Sequence, residues 1–165
     1  MSDIGSYFNF EKTFRGSRKE ISDRLSTYED LLKITHRYFK QPKVLDLGCG
    51  RGEWLIKCCE LGFDCLGIDS NNEMVNECQK NGLNVLKGSV LEQLQDIESK
   101  SHEVITSFHL IEHLSNEQLS KMLVECRRIL KSNGLMILET PSIDNLIVSS
   151  KTFYLDPTHI NPINP

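Results

Sequence analysis

Residues 44–52 read Val44-Leu45-Asp46-Leu47-Gly48-Cys49-Gly50-Arg51-Gly52. A short apolar run that breaks into three glycines at alternate positions is a buried strand entering a tight turn, with a helix starting at about Glu53. From Lys43 onward, strand and helix signals alternate. Strand candidates are Val44–Leu47, Cys65–Ile68, Asn84–Leu86, Val104–Phe108 and Leu135–Glu139. Helix candidates run from about Glu53 to Glu60, Glu73 to Gln79 and Asn116 to Leu130. The last has a capping box in Ser115 and Gln118. It carries Leu119, Met122, Leu123, Cys126, Ile129 and Leu130 at helical spacing, and Asn133-Gly134 is its expected stop. Alternation of this kind predicts parallel βαβ units in an α/β, Rossmann-like, doubly wound sheet. Ligands of such sheets bind at the carboxyl ends of the strands. The candidate site segments are therefore Asp46–Gly52, Asp69–Ser70, Gly88–Val90, Phe108–His113 and Glu139–Ser142.

The 165 residues divide into an N-terminal helical segment (1–42), the α/β core (43–141) and a C-terminal helix and loop (142–165). Ile21, Leu25, Tyr28, Leu31 and Leu32 form an amphipathic stripe in the first segment, expected to pack on the sheet. Arg15 and Arg18 are its candidates for reaching the pocket. Charge is uneven: residues 1–43 carry a net +3 and the remainder −7. A broad basic nucleic-acid surface is excluded for the body of the chain. No apolar run approaches the roughly 20 residues that span a bilayer, and no apolar signal core follows Met1, so a cytoplasmic location is expected. The six cysteines form no C-x-x-C pair and are read as small core residues in a reducing compartment.

The glycine spacing is G-x-G-x-G, not the G-x-G-x-x-G of dinucleotide sites. Asp46, two residues before the first glycine, would repel a pyrophosphate and suits a cofactor with a cation beside its nucleoside. Asp69 ends the second strand, where a carboxylate accepts hydrogen bonds from ribose hydroxyls. His109-Leu110-Ile111-Glu112-His113 matches the H-x-x-E-H zinc pattern formally. Its first histidine ends a strand and its second lies in the following turn, so the pair should not converge, and no metal is assigned. These histidines either orient an acceptor, take its proton or merely brace the loop. Phe153-Tyr154-Leu155-Asp156-Pro157-Thr158-His159 reads as a binding loop above the pocket or as a surface turn, with the loop favoured.

The motifs Val44–Gly52, Gly67-Ile68-Asp69, Glu112-His113-Leu114 and Leu130-Lys131-Ser132-Asn133-Gly134-Leu135 together resemble the class I S-adenosylmethionine-dependent methyltransferases over residues 43–141. The resemblance implies S-adenosyl-L-methionine as cofactor and S-adenosyl-L-homocysteine as product. By that resemblance Asp46, Gly48, Cys49 and Gly50 would hold the methionine end, with Phe108 beside them. Asp69 and Ser70 would hold the ribose, and Met74, Ser89 and Val90 the adenine. Arg15 would pair with the cofactor carboxylate or an anionic acceptor. His109, His113 and His159 are the catalytic candidates. Phe14-Arg15-Gly16-Ser17-Arg18, Trp54, Glu139-Thr140-Pro141 and Phe153–His159 are similar to the methyltransferase domain of bacterial O-antigen chain-terminating and polysaccharide-modifying enzymes. That narrower likeness implies O-methylation of a sugar hydroxyl or terminal phosphate on a glycan or small-molecule acceptor. Two departures stand out. Gly88-Ser89 replaces the acid usual after the third strand, and five strands are found where the family has seven. A sheet lacking the C-terminal hairpin would expose an edge open to self-association. A non-catalytic cofactor-binding module and a nicotinamide oxidoreductase are the alternative readings.

Overall fold

A computed structural model describes residues 17–163. Five parallel strands, β1 (Lys43–Leu47), β2 (Asp64–Asp69), β3 (Val85–Lys87), β4 (His102–Phe108) and β5 (Leu130–Glu139), lie in the order β3-β2-β1-β4-β5. The strands are apolar on both faces because both faces are covered. Val44, Cys65, Val85 and Val104 face one core with Leu25, Leu32, Trp54, Leu55 and Val75. Leu45, Leu47, Ile68 and Ile105 face the other with Leu94, Met122, Cys126 and Ile129. Helices α1 (Arg18–Leu25), α2 (Glu29–Tyr38), α3 (Glu53–Glu60) and α4 (Asn72–Lys80) supply the first layer. Helices α5 (Val90–Asp96) and α6 (Asn116–Ile129) supply the second. The chain reverses its direction across the sheet between β3 and β4. The switch point therefore lies between β1 and β4, where doubly wound sheets bind ligands.

Several local expectations change. Helix α5 was not expected. It begins at Ser89, and Val90 and Leu94 turn inward. Helix α6 ends at Ile129, where its inward face runs out, and Leu130 is already extended. Asn133 does adopt a left-handed φ of 63°, but inside a bulge of β5, not as a helix stop. Pairing passes from His102↔Leu130 to Val104↔Leu135 across that bulge. A Cβ on Gly134 would lie 2.8 Å from the Glu103 carbonyl oxygen, so the close passage needs glycine. In the N-terminal stripe Leu25 and Leu32 are buried, but Leu31 is 42% exposed. Adjacent helical residues point about 100° apart, and Thr35, one turn on from Leu32, takes the inward place.

Five of the cysteines are buried, Cys59 is exposed, and all are free thiols. After β5 the chain makes one π-helical turn (Val148–Thr152) and one 3-10 turn (Phe153–Leu155), anchored by the buried Phe153. It then returns to the loop after β4, where the Ile160 and Asn161 N–H groups both donate to the Glu112 carbonyl at 3.0 Å. Among the described residues, no strand covers the outer edge of β5, and no helix is long and apolar enough to cross a membrane.

Candidate active site

The turn after β1 is held from below. Gly48 and Cys49 N–H both donate to the Ile68 carbonyl, at 2.9 and 3.0 Å. Gly48, Gly50 and Gly52 have φ of 70°, 54° and 79°, a region where a side chain is strained. A Cβ on Gly52 would also meet Leu83 Cδ1 at 2.4 Å. On the neighbouring strand, a Cβ on Gly67 would stand 2.7 Å from Cys49 Sγ. The glycines of the turn and of β2 thus let the two backbones approach closely.

Asp69, at the carboxyl end of β2, ties this turn to the next helix. Its Oδ2 accepts from Gly50 N–H at 2.8 Å, and its Oδ1 accepts from Asn71 N–H at 2.8 Å. Asn71 caps α4 by accepting from Glu73 and Met74 N–H. Each Asp69 oxygen keeps a lone pair for a diol. Asp46 is only 2% exposed, accepts from Thr106 Oγ1 at 2.7 Å and lines the cavity beside Gly48. A carboxylate at the floor of a cavity is a group with which a cationic ligand can pair, and such a cation favours its charged form.

The cavity encloses about 410 Å³, within the range typical of small-molecule sites. Its floor is Asp46, Gly48 and Cys49. One wall is Ile21, Arg24 and Leu25 of α1 with Trp54 and Phe108; the other is His109, Glu112, His113, Leu155 and His159. Tyr28, Trp54 and Phe108 pack as an aromatic cluster, with ring centroids 5.1 to 6.3 Å apart. Tyr28 donates to the Glu139 carboxylate. Burial first, and that carboxylate second, push its hydroxyl up to about 12.

His109 has a left-handed φ of 59°, an uncommon state for a non-glycine residue that concentrates at functional sites. The turn places its ring between two acids, Nδ1 at 3.3 Å from Glu112 Oε1 and Nε2 at 3.3 Å from Glu139 Oε1. The His109 hydrogen bond holds the Glu139 carboxyl below the usual carboxylate range. Burial pushes Glu112 up, but the bond from His109 and a backbone amide outweigh it and the net shift is down. Burial lowers the His113 imidazole, which favours its neutral form.

The structure gathers Asp46, Gly48, Cys49, Phe108, His109, His113 and His159 around one cavity. Gly50 and Asp69 meet each other below it. Ser70 and Ser89 are exposed, Val90 and Met74 are buried, and none of the four lines the cavity. Arg15 lies outside the described residues. Arg18 pairs with Glu77 of α4 instead of reaching the pocket. Arg24, two turns further along α1, lines it instead. The inward phase of Ile21 and Leu25 was the signal that could have found Arg24. Glu112, Glu139 and Tyr28 were also missed, because their roles come from long-range pairing.

A family profile described as "Methyltransferase domain" matches residues 18–164. The solved S-adenosylmethionine-dependent methyltransferase from Archaeoglobus fulgidus is similar in sequence and shape. It is 37% identical with a TM-score of 0.81, over 96% of this chain and 68% of that one. Among curated proteins, the ubiquinone biosynthesis O-methyltransferase of Pelagibacter ubique is 29% identical over 66% of this chain and 46% of its own length. Its counterpart in Rickettsia prowazekii is 30% identical over 70% of this chain and 43% of its own. The chain thus spans less than half the length of these curated relatives. It carries the switch-point cavity and glycine turn described above, and it belongs to the methyltransferase-domain family of S-adenosylmethionine-dependent, class I fold.

Proposed function

We propose that the protein transfers a methyl group from S-adenosylmethionine to an acceptor oxygen. The observation that carries this reading is the pair of carboxylates: Asp69 is positioned by two backbone amides for a diol, and Asp46 is buried at the cavity floor for a cation. Asp69 with Ser70 would hold the ribose, and Asp46 with the Gly48–Gly50 turn the amino-acid end. Met74, Ser89 and Val90 would flank the adenine. The cofactor brings the activated methyl group. The chain's own part is to place the acceptor oxygen in line with it, which can lower a barrier by about 7–11 kcal/mol. His109, His113 and His159 would orient the acceptor hydroxyl or take its proton. Arg24 would pair with the cofactor carboxylate or an anionic acceptor, the role expected of Arg15.

Trp54, Phe108, Ile21, Leu25 and Leu155 give the cavity apolar walls. Together with relatives named for ubiquinone biosynthesis, they favour a hydroxyl on an apolar, ring-bearing acceptor. The glycan or terminal-phosphate acceptor implied by the narrower bacterial likeness finds no counterpart in those names. The open β5 edge would be the place for a second copy to associate.

The test is calorimetric titration with S-adenosylmethionine and S-adenosylhomocysteine, followed by methyl transfer to a catechol and to a sugar phosphate. Saturable binding lost in Asp69→Ala, with turnover on the catechol, is expected. A folded chain that binds neither ligand refutes the reading.

A further inference from the structure

We propose that Glu112, His113 and His159 form a binding site for a first-row divalent metal ion on the acceptor side of the cavity. Each offers one ligand atom, and the three atoms lie within 4.8 Å of one another. All three residues line the cavity. The H-x-x-E-H spacing alone does not make this site, because His109 is turned between two carboxylates. The second histidine ligand comes from the C-terminal loop.

The hydrogen bonds around the two imidazoles assign their tautomers. His159 Nδ1 lies 2.7 Å from the Phe153 carbonyl oxygen. A carbonyl only accepts, so Nδ1 carries a proton, and in the neutral ring Nε2 is then the nitrogen with the lone pair. His113 Nδ1 lies 2.9 Å from Thr158 Oγ1. Thr158 gives its hydrogen to the Asp156 carboxylate, so its oxygen accepts from His113 Nδ1–H. In both rings the outer nitrogen is therefore the basic one. Ligand histidines are oriented in this way, with the far ring nitrogen bonded to a carbonyl or, through a relay, to a carboxylate. His159 Nε2 stands 4.0 Å from Glu112 Oε1 and 3.8 Å from Asp156 Oδ2.

Glu112 supplies the charge. Its side chain is fully buried, and Thr140 Oγ1 holds its Oε2 at 3.2 Å. Ligands about 2.1 Å from a common ion sit no more than about 4.2 Å apart. The group thus closes on an ion by side-chain movements of under about an ångström. Two imidazoles and a carboxylate suit the first-row divalent ions and leave a coordination position open to the cavity. An ion there would attract an acceptor oxygen and lower the pKa of its hydroxyl, leaving His109 as the imidazole free of metal. That use of the ion rests on the methyl-transfer reading; its binding does not.

The test is titration of the EDTA-dialysed full chain with Co²⁺, followed by visible absorption. Circular dichroism and S-adenosylhomocysteine binding are measured in parallel. One equivalent of Co²⁺ is expected, with a nitrogen–oxygen spectrum lacking thiolate charge transfer. His113→Ala and His159→Ala should each weaken it more than about tenfold, and the surface variant Thr158→Val about tenfold. Absence of Co²⁺ binding by the folded chain, a thiolate spectrum, or unchanged affinity in the His113→Ala/His159→Ala double variant overturns the proposal. Co²⁺ binding without S-adenosylhomocysteine binding would instead overturn the cofactor reading and leave the metal site standing.

Discussion

Asp69→Asn is nearly isosteric, yet the structure predicts that it is not conservative. The carboxylate accepts two backbone N–H groups, one on each oxygen, both at 2.8 Å. An amide has a single acceptor oxygen, so either Gly50 or Asn71 N–H must face an NH₂ group. The variant loses one charge-assisted bond and leaves one donor opposed, a change of about 1.5–3 kcal/mol before screening. Asp69 is half-buried, so a net loss of about 2 kcal/mol is expected. For a chain of this size that lowers Tm by roughly 4–8 °C. On the proposed ribose role, the same change should weaken S-adenosylhomocysteine binding by about tenfold or more, because a hydrogen bond to a charged group contributes about 1.5–3 kcal/mol. Thermal unfolding by circular dichroism, with and without saturating S-adenosylhomocysteine, reads both effects. Wild-type Tm in the variant would refute the two-amide account of Asp69.

Gly52→Ala should destabilise by about 3 kcal/mol, combining a left-handed φ with a clash at Leu83; a loss under about 1 kcal/mol in urea unfolding would contradict the close approach. Arg128 reaches the Leu94 and Ile97 carbonyls and Ser99 Oγ while pairing with Glu125. Arg128→Ala should therefore lower stability by about 2 kcal/mol and raise hydrogen exchange in α5. Burial lowers the pKa of both His102 and His113. Below the unfolded histidine value of about 6.5, the unfolded chain binds more protons, so stability present above that pH is lost as pH falls through the lower folded values. His102→Gln should flatten the stability–pH curve below about pH 6.5, and an unchanged slope would count against the buried neutral state.

Legibility in the sequence followed the range of the interaction. The β1–α3 turn was readable because its glycines, its acid and the helix start lie within ten residues. The parallel sheet followed from alternation alone. Helix α5 was not readable: it is short, and the inward positions of Val90 and Leu94 depend on the sheet above them. The end of α6 was misplaced because Asn133-Gly134 satisfies a helix stop and a strand bulge equally well. Asp46 and Asp69 were expected at the carboxyl ends of the first two strands, and the structure places them there. Arg24 was missed for Arg18 because the helical phase of α1 is set by the packing of Ile21 and Leu25. Glu112 was visible only as a letter in a motif. Its burial depends on the left-handed turn at His109 and on Thr140, which comes from the other side of β5.

The two ends of the cavity have unequal structural roots. The floor is built on β1 and the glycine turn that follows it, which the Ile68 carbonyl of β2 holds from below, so any change there disturbs the sheet itself. The opposite wall combines the loop after β4 with a returning stretch of chain, held by the insertion of Phe153 and by two amides on one carbonyl of Glu112. Such a wall can be exchanged, lengthened or reshaped while the sheet stays intact. Substitutions in residues 142–163 can therefore recast that side of the cavity while the sheet of residues 43–141 keeps its packing.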